Sequence, residues 1–403
     1  MRNRWLIALA AIGLHISIGS VYAWSVLTRP IMVDMGFTLS QTTWTFSLAI
    51  LMLGLSAGFL GSFAEKIGPK KSGLLAMVFW VAGLFGTAYA LSIHNLTLLY
   101  LFYGIIGGIG LGIGYITPVS TLVKYFPNRP GFATGLAIMG FGFASLIAGP
   151  LMQYLVAHVG LVNNFIILGI TYLIVMSASS LYLKAPTPKE PTRSNQDKST
   201  MYVHNHGMLA NDAMKTWQFS ALWWVFFVNI TCGIGLLSLA SPMAQETIGM
   251  TPAAAASLVG IIGIFNGGGR IAWSTISDFL GRAQTYILFF IMEIIAFYLL
   301  SQTNSALTFQ ILILLIITCY GGGFSCMPAY LADLYGIRQL STIHGRILTA
   351  WGLAGIAGPM IVSYFHEAGY GYSMALVCFA GLFVLNTIIA IVLKVYGKRD
   401  LHS

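Results

Sequence analysis

Two stretches of this chain are versions of one loop. Gly61-Ser62-Phe63-Ala64-Glu65-Lys66-Ile67-Gly68-Pro69-Lys70-Lys71 stands in the first half, and Ser274-Thr275-Ile276-Ser277-Asp278-Phe279-Leu280-Gly281-Arg282 in the second. Glu65 and Asp278 each precede a glycine, Gly68 or Gly281, by three residues. Each acid has cations close behind it: Lys66, Lys70 and Lys71, or Arg282. The copies lie 213 residues apart. A second matching pair, Ala148-Gly149-Pro150 and Ala357-Gly358-Pro359, lies 209 residues apart, and Arg129 and Arg338 precede it at the same spacing. A repeat of about half the chain predicts two like halves.

What surrounds these loops is apolar. Of 403 residues, 57% are hydrophobic and only 8% charged, with mean hydropathy +0.82. A soluble domain is about 25% charged, and a globule this poor in charge cannot cover its surface with polar groups. That excludes a cytosolic enzyme, a disordered chain and a coiled coil, and leaves a polytopic membrane protein. A hydrocarbon core about 30 Å thick needs roughly 20 apolar residues of helix. Twelve stretches qualify: 5–27, 43–63, 72–91, 97–119, 133–155, 163–184, 217–240, 253–277, 284–302, 308–332, 344–366 and 371–394. The expected fold class is an all-α membrane protein of twelve transmembrane helices in two six-helix pseudo-symmetric halves, 1–184 and 216–403. A linker, 185–215, carries Pro186, Pro188, Pro191, Ser194 and mixed charges and reads as flexible.

The net charge of +9 comes from 20 cations against 11 acids. In a soluble chain this surplus would suggest nucleic acid. Here the cations sort to one side of the spans. Arg2, Arg4, Lys66, Lys70, Lys71, Lys124, Arg129, the linker lysines and arginines, Arg282, Arg338, Arg346, Lys394, Lys398 and Arg399 share that side. The opposite loops carry only Arg29. The positive-inside rule then puts both termini and the linker in the cytoplasm, in a plasma (inner) membrane. Cys232, Cys319, Cys326 and Cys378 all lie in apolar runs and read as small buried residues.

The Gly61–Lys71 segment closely resembles the signature loop of the major facilitator superfamily, which implies the major facilitator fold. A narrower likeness is carried by Gly19-Ser20-Val21-Tyr22-Ala23-Trp24-Ser25, by Asn266-x-x-x-Arg270 leading into the Asp278 loop, and by Thr349-Ala350-Trp351-Gly352. These resemble the oxalate/formate antiporter family, and more distantly the monocarboxylate transporters. The resemblance spans nearly the whole chain and implies transport of small carboxylates, by exchange or proton-coupled symport.

Arg270 is the main candidate for substrate binding. It lies about 12 Å inside the eighth span, where an ionisable side chain must face a cavity or a partner. Its planar fork matches a carboxylate bidentately, and the family likeness implies a carboxylate-binding arginine here. The competing role is an ion pair with Glu293, at similar depth in the ninth span. Asn266 sits one turn before Arg270, on the same face. In animal-type monocarboxylate transporters the matching position resembles an Asp implicated in proton coupling, and an Asn cannot carry that proton. His15, about ten residues into the first span, and Glu293 are the candidates for a coupling proton; His15 is also a candidate ligand.

The oxalate-specific member of the family resembles a chain with a lysine where this one has Trp351. One cation in a low-dielectric cavity favours one negative charge. We therefore expect a monocarboxylate such as formate, lactate or pyruvate, rather than oxalate. Tyr22, Tyr115, Tyr320, Phe324 and Trp351 are expected to wall the cavity. The glycine-rich fourth span lacks the strand a nucleotide loop needs, and His204 with His206 is a weak metal pair. No cofactor or metal is expected. The partners implied are a small organic anion, the lipid bilayer and protons, with no nucleic acid and the chain working as a monomer.

The signature loops carry Gly61, Gly68, Glu65, Lys66, Lys70 and Lys71 in one half and Asp278 and Arg282 in the other, and are expected to latch one conformational state. Replacing Glu65 and Asp278 together by alanine is expected to slow transport, and unchanged rates would show that these charges serve topology alone.

Overall fold

The computed structural model describes residues 3–125, 130–185, 207–336 and 339–397. Arg129, Arg338, the His204–His206 pair, most of the linker and the Glu65 side chain lie outside the described part. The helices are α1 (Arg4–Gly19, continued by a 3-10 turn Ser20–Ala23 and by Ser25–Met35), α2 (Leu39–Ile67), α3 (Pro69–Ser92), and α4 (Leu96–Leu99, then a π-helical stretch Tyr100–Gly107, then Gly108–Tyr125). They continue with α5 (Pro130–Val159), α6 (Leu161–Tyr182), α7 (Trp217–Ser238, then Ala240–Ile248), α8 (Pro252–Leu280), α9 (Arg282–Gln302) and α10 (Ala306–Tyr335). The last two are α11 (Leu340–Ile347, then Thr349–Phe365) and α12 (Gly371–Tyr396).

Eleven stretches of the described residues are long and apolar enough to cross a membrane. The last, Thr342–Tyr396, has 55 residues. As one helix it would be about 80 Å long, far more than a bilayer of about 30 Å accommodates. It breaks at Gly369 (φ +86°) and Gly371 (φ +63°) into α11 and α12, so twelve spans result. Several helices outrun the apolar runs that announce them: α2, α5, α8 and α10 have 29, 30, 29 and 30 residues. Their polar ends continue the helix past the hydrocarbon, where hydropathy gives no signal.

The repeat extends to the backbone. Gly36 and Gly249 close α1 and α7 in the left-handed region, at φ +69° and +67°. Thr38 and Thr251 then cap α2 and α8, their side chains accepting from the N–H groups of Gln41 and Ala254. Gly68 and Gly281 turn α2 into α3 and α8 into α9, at φ +83° and +91°. All three pairs share the 213-residue spacing. At these glycines a side chain would be strained, which is why the loop motif keeps them.

Packing follows the same symmetry. α1 lies against α4, α5 and α6, and α7 lies likewise against α10, α11 and α12. α3 pairs with α6 as α9 does with α12. The halves meet along two seams, α2 with α11 and α5 with α8. There the backbones nearly touch: a Cβ on Gly54 would stand 2.6 Å from Gly352 Cα, and one on Gly142 would stand 3.1 Å from Gly267 Cα. Small residues allow such close helix approach. The end of the linker is not free chain. Met208 N–H donates to the Tyr335 carbonyl (2.8 Å), and Ala210 N–H to Gln339 Oε1 (2.7 Å).

We call the end bearing Gly68 and Gly281 the basic end. At the opposite end the halves are clamped by polar contacts. The Glu367 carboxylate, between α11 and α12, accepts from Ser40 N–H and Ser40 Oγ at the start of α2, both at 2.7 Å. Arg29 Nη1 donates to Gln245 Oε1 (3.0 Å), and Ser363 Oγ to Thr43 Oγ1 (3.3 Å). Partial burial opposes ionisation of Glu367. The hydrogen bonds from Ser40 and Thr38, with His366 beside it, outweigh burial and hold the carboxyl below its ordinary value. A depressed carboxyl stabilises the clamp above the unperturbed value of about 4.3 and loses it as pH falls through the lowered one. A cysteine at buried Thr43 should therefore react faster with a membrane-impermeant maleimide in the Glu367→Gln variant at neutral pH. Equal rates in variant and parent would show that Glu367 clamps nothing.

Candidate functional site

At the centre of the molecule six aromatic side chains form a closed ring. Tyr22 meets Phe141 at 4.9 Å between ring centroids, and Phe141 meets Tyr115 at 5.6 Å. Tyr115 meets Trp351 at 5.2 Å, and Trp351 meets Phe324 at 4.9 Å. Phe324 meets Tyr320 at 5.4 Å, and Tyr320 returns to Tyr22 at 6.4 Å with their hydroxyls 2.9 Å apart. Tyr22 (α1), Tyr115 (α4) and Phe141 (α5) come from the first half; Tyr320 and Phe324 (α10) and Trp351 (α11) come from the second. The ring thus crosses between the halves twice, at Tyr22–Tyr320 and at Tyr115–Trp351.

Arg270 of α8 stands at this ring with its Cζ 5.0 Å from the Phe324 centroid. It lies ten residues before Leu280, the last residue of α8, hence about 15 Å from the helix end. Only 2% of its surface is exposed, so the site is shut from both sides in this conformation. Its Nε donates to Asn266 Oδ1 at 3.1 Å. Neither Nη1 nor Nη2 has a partner in hydrogen-bonding geometry, although the Tyr22 and Tyr115 phenols stand beside them. The Asn266 Nδ2 and Trp351 Nε1 donors are also buried without a partner. Among the described residues no acid is paired with this guanidinium, and buried N–H groups of this kind suit an anionic oxygen.

The ion pair with Glu293 is not formed. The fully buried Glu293 carboxylate accepts from Asn229 Nδ2 of α7 at 3.4 Å, and its other oxygen has no partner. Of the three glycines before Arg270, Gly267 and Gly269 serve helix packing, while Gly268 faces open space. A Cβ on Gly269 would meet the Thr318 carbonyl of α10 at 2.6 Å, and one on Gly267 would meet Phe143 of α5 at 3.2 Å. His15 lies behind the ring, stacked on Tyr115 at 5.5 Å.

The sequence reading missed Phe141. The 209-residue spacing carries Phe324 back to Tyr115 and Trp351 back to position 142, next to Phe141. That spacing was the available signal. Asn229 was missed too, as a lone amide in an apolar run.

At the basic end, Asp278 Oδ1 lies 2.6 Å from Arg282 Nη2, and Arg282 Nε lies 3.6 Å from Asp333 Oδ2. Arg282 also donates to Ser277 Oγ. The network ties α8, α9 and α10 together within one half. Lys66, Lys70 and Lys71 are exposed, and Gly61 faces Ile116 of α4.

The chain matches the family model described as Major Facilitator Superfamily over residues 7–282 and 222–401. An Escherichia coli (strain K12) protein described as an uncharacterized MFS-type transporter, YhjX, is 28% identical over 357 residues, covering 88% of this chain and 86% of that protein. The oxalate:formate antiporter of Oxalobacter formigenes is 25% identical over 361 residues, covering 88% of this chain and 83% of its own length. The fold also matches the crystal structure of a bacterial homolog of the human lysosomal transporter Spinster in an inward-facing, unoccupied conformation. That likeness has a TM-score of 0.76 at 14% identity, covers 97% of both chains, and speaks to the fold alone. By these matches and by its two-half architecture, the chain belongs to the Major Facilitator Superfamily and is a multi-pass membrane transporter, not an enzyme.

Proposed function

We propose that this transporter carries small monocarboxylates, such as formate, lactate or pyruvate, by alternating access between its halves. The observation that carries the reading is the Arg270 guanidinium, buried with Nη1 and Nη2 unpartnered inside an aromatic ring. A carboxylate of one negative charge neutralises this cation and accepts from both nitrogens. Asn266 fixes the guanidinium plane, and its free Nδ2, with Trp351 Nε1, offers further donors. Tyr22, Tyr115, Tyr320 and Phe324 keep the site dry, where electrostatic attraction is stronger than in water. Trp351 stands where a second cation would favour oxalate. Similarity to the oxalate:formate antiporter supports the carboxylate class.

The signature-loop residues Gly61, Glu65, Lys66, Gly68, Lys70, Lys71, Asp278 and Arg282 act in gating. The basic end faces the cytoplasm, with both termini and the linker inside, in a plasma (inner) membrane. The halves are residues 1–184 and 216–403, and the chain works as a monomer.

Uptake into proteoliposomes at matched concentrations tests this reading. Formate, lactate or pyruvate should enter faster than oxalate. Arg270→Ala should abolish uptake, since unpairing a buried ion costs roughly 3 kcal/mol, about 100-fold in affinity. Oxalate entering faster than every monocarboxylate would point to a dicarboxylate exchanger. Undiminished uptake by the Arg270→Ala variant would return Arg270 to a structural role.

A further inference from the structure

At the basic end, the seam between α2 and α11 holds a cavity of about 450 Å³. Small-ligand sites run from about 300 to 1,000 Å³. The walls come from both halves. α2 supplies Gly58 and Phe59, α11 supplies Gly345 and Arg346, and α7 supplies Trp223. Asn211 and Met214 close it from the helical turn Ala210–Ala213, which precedes α7. A Cβ on Gly58 would stand 3.3 Å from the Gly345 carbonyl oxygen, so the halves meet here backbone to backbone.

One side of the cavity is cationic. Arg346 is half-buried and donates from Nη2 to Asn211 Oδ1 and from Nη1 to Met214 Sδ, both at 2.8 Å. A thioether is a weak acceptor. No acid pairs with Arg346 among the described residues; Asp212, next in sequence to Asn211, lies 3.5 Å from Lys215 instead. The other side is apolar. Phe59 is 72% exposed, although it stands eight residues before Ile67, the last residue of α2, hence about 12 Å inside the helix end. At that depth lipid covers it. Trp223 is fixed by its Nε1 donating to Thr349 Oγ1 at 3.0 Å and by stacking on Phe227, the rings 7° from parallel. Trp217 and Trp224 beside it are partly exposed. Indoles gather at the level of lipid headgroups.

We propose that this cavity binds an anionic phospholipid, its phosphate on Arg346 in place of the Met214 thioether and its chain along Phe59 and Trp223. Phosphate matches the guanidinium fork, which here lacks an anionic partner. A zwitterionic lipid brings its own cation beside the phosphate and gains less from Arg346. A soluble anion has no chain to lay on the apolar side. The bound lipid touches α2 of one half and α7 and α11 of the other, so parting the halves at this end divides its site. Binding therefore favours the conformations in which the basic end is shut. This role is independent of which anion Arg270 takes.

The test uses the whole protein carrying Met214→Cys, reconstituted in phosphatidylcholine vesicles or in vesicles of equal parts phosphatidylcholine and phosphatidylglycerol. N-ethylmaleimide labels the new thiol, and the parent protein gives the background from its own cysteines. Phosphatidylglycerol should slow labelling about 10-fold, as for a site about nine-tenths occupied. Adding Arg346→Gln should restore the faster rate. Equal rates in the two vesicles overturn the proposal. So does slowing that survives Arg346→Gln, because surface charge would then be acting on the thiol. Equal protection by free sn-glycerol 3-phosphate in phosphatidylcholine vesicles would make this a soluble-anion site and also overturns it. Should Arg346→Gln not fold, native mass spectrometry of the wild type decides. Phosphatidylglycerol retained where phosphatidylcholine is lost supports the site, and no such preference overturns it. A cysteine at Thr43, at the opposite end, should react faster in the mixed vesicles, and an equal or slower rate overturns the conformational role.

Discussion

A buried guanidinium with no acid paired to it among the described residues is the constraint around which the centre of this molecule is arranged. Placing an arginine at the centre of a membrane helix costs roughly 2.5–3.5 kcal/mol even on the most lenient scale. Arg270 meets part of that cost through Asn266 and through the face of Phe324. Its two terminal nitrogens remain unsatisfied. Stability alone would favour an acid within reach, and Glu293 is engaged elsewhere, with Asn229. The fold keeps the cation without an acidic partner among the described residues, and on the proposed function an anion entering the ring would remove the penalty.

The two-half construction gives the proposed substrate a way in and out. The six aromatic rings come three from each half, and both crossings lie on the interface. Rocking one half against the other must part Tyr22 from Tyr320 or Tyr115 from Trp351. The clamp of Glu367 on Ser40 closes one end, while the Asp278–Arg282–Asp333 network makes three helices of one half move as a body. Where the halves touch, Gly54 meets Gly352 and Gly142 meets Gly267. Such smooth surfaces allow relative motion with little side-chain interlock.

Much of this was legible in the sequence, for physical reasons that differ by feature. The spans showed because lipid admits only apolar helix, and the repeat showed because its turns need glycine at positive φ, as at Gly68 and Gly281. Arg270 stood out because a deep cation is rare. What stayed hidden depends on side-chain direction across helices. Nothing in the sequence says that Phe141 joins the ring, that Glu293 turns to Asn229, or that both nitrogens of His15 meet carbonyls. Those facts belong to packing between distant segments. The glycines at 267 and 269 make room for α5 and α10.

The most direct measurement is a structure determined with a saturating monocarboxylate. The account predicts a carboxylate bound to Arg270 by two parallel hydrogen bonds, its oxygens about 2.7–2.9 Å from Nη1 and Nη2, inside the ring of Tyr22, Tyr115, Phe141, Tyr320, Phe324 and Trp351. A carboxylate bound elsewhere, with Nη1 and Nη2 engaged by Glu293 or another protein group, would contradict it.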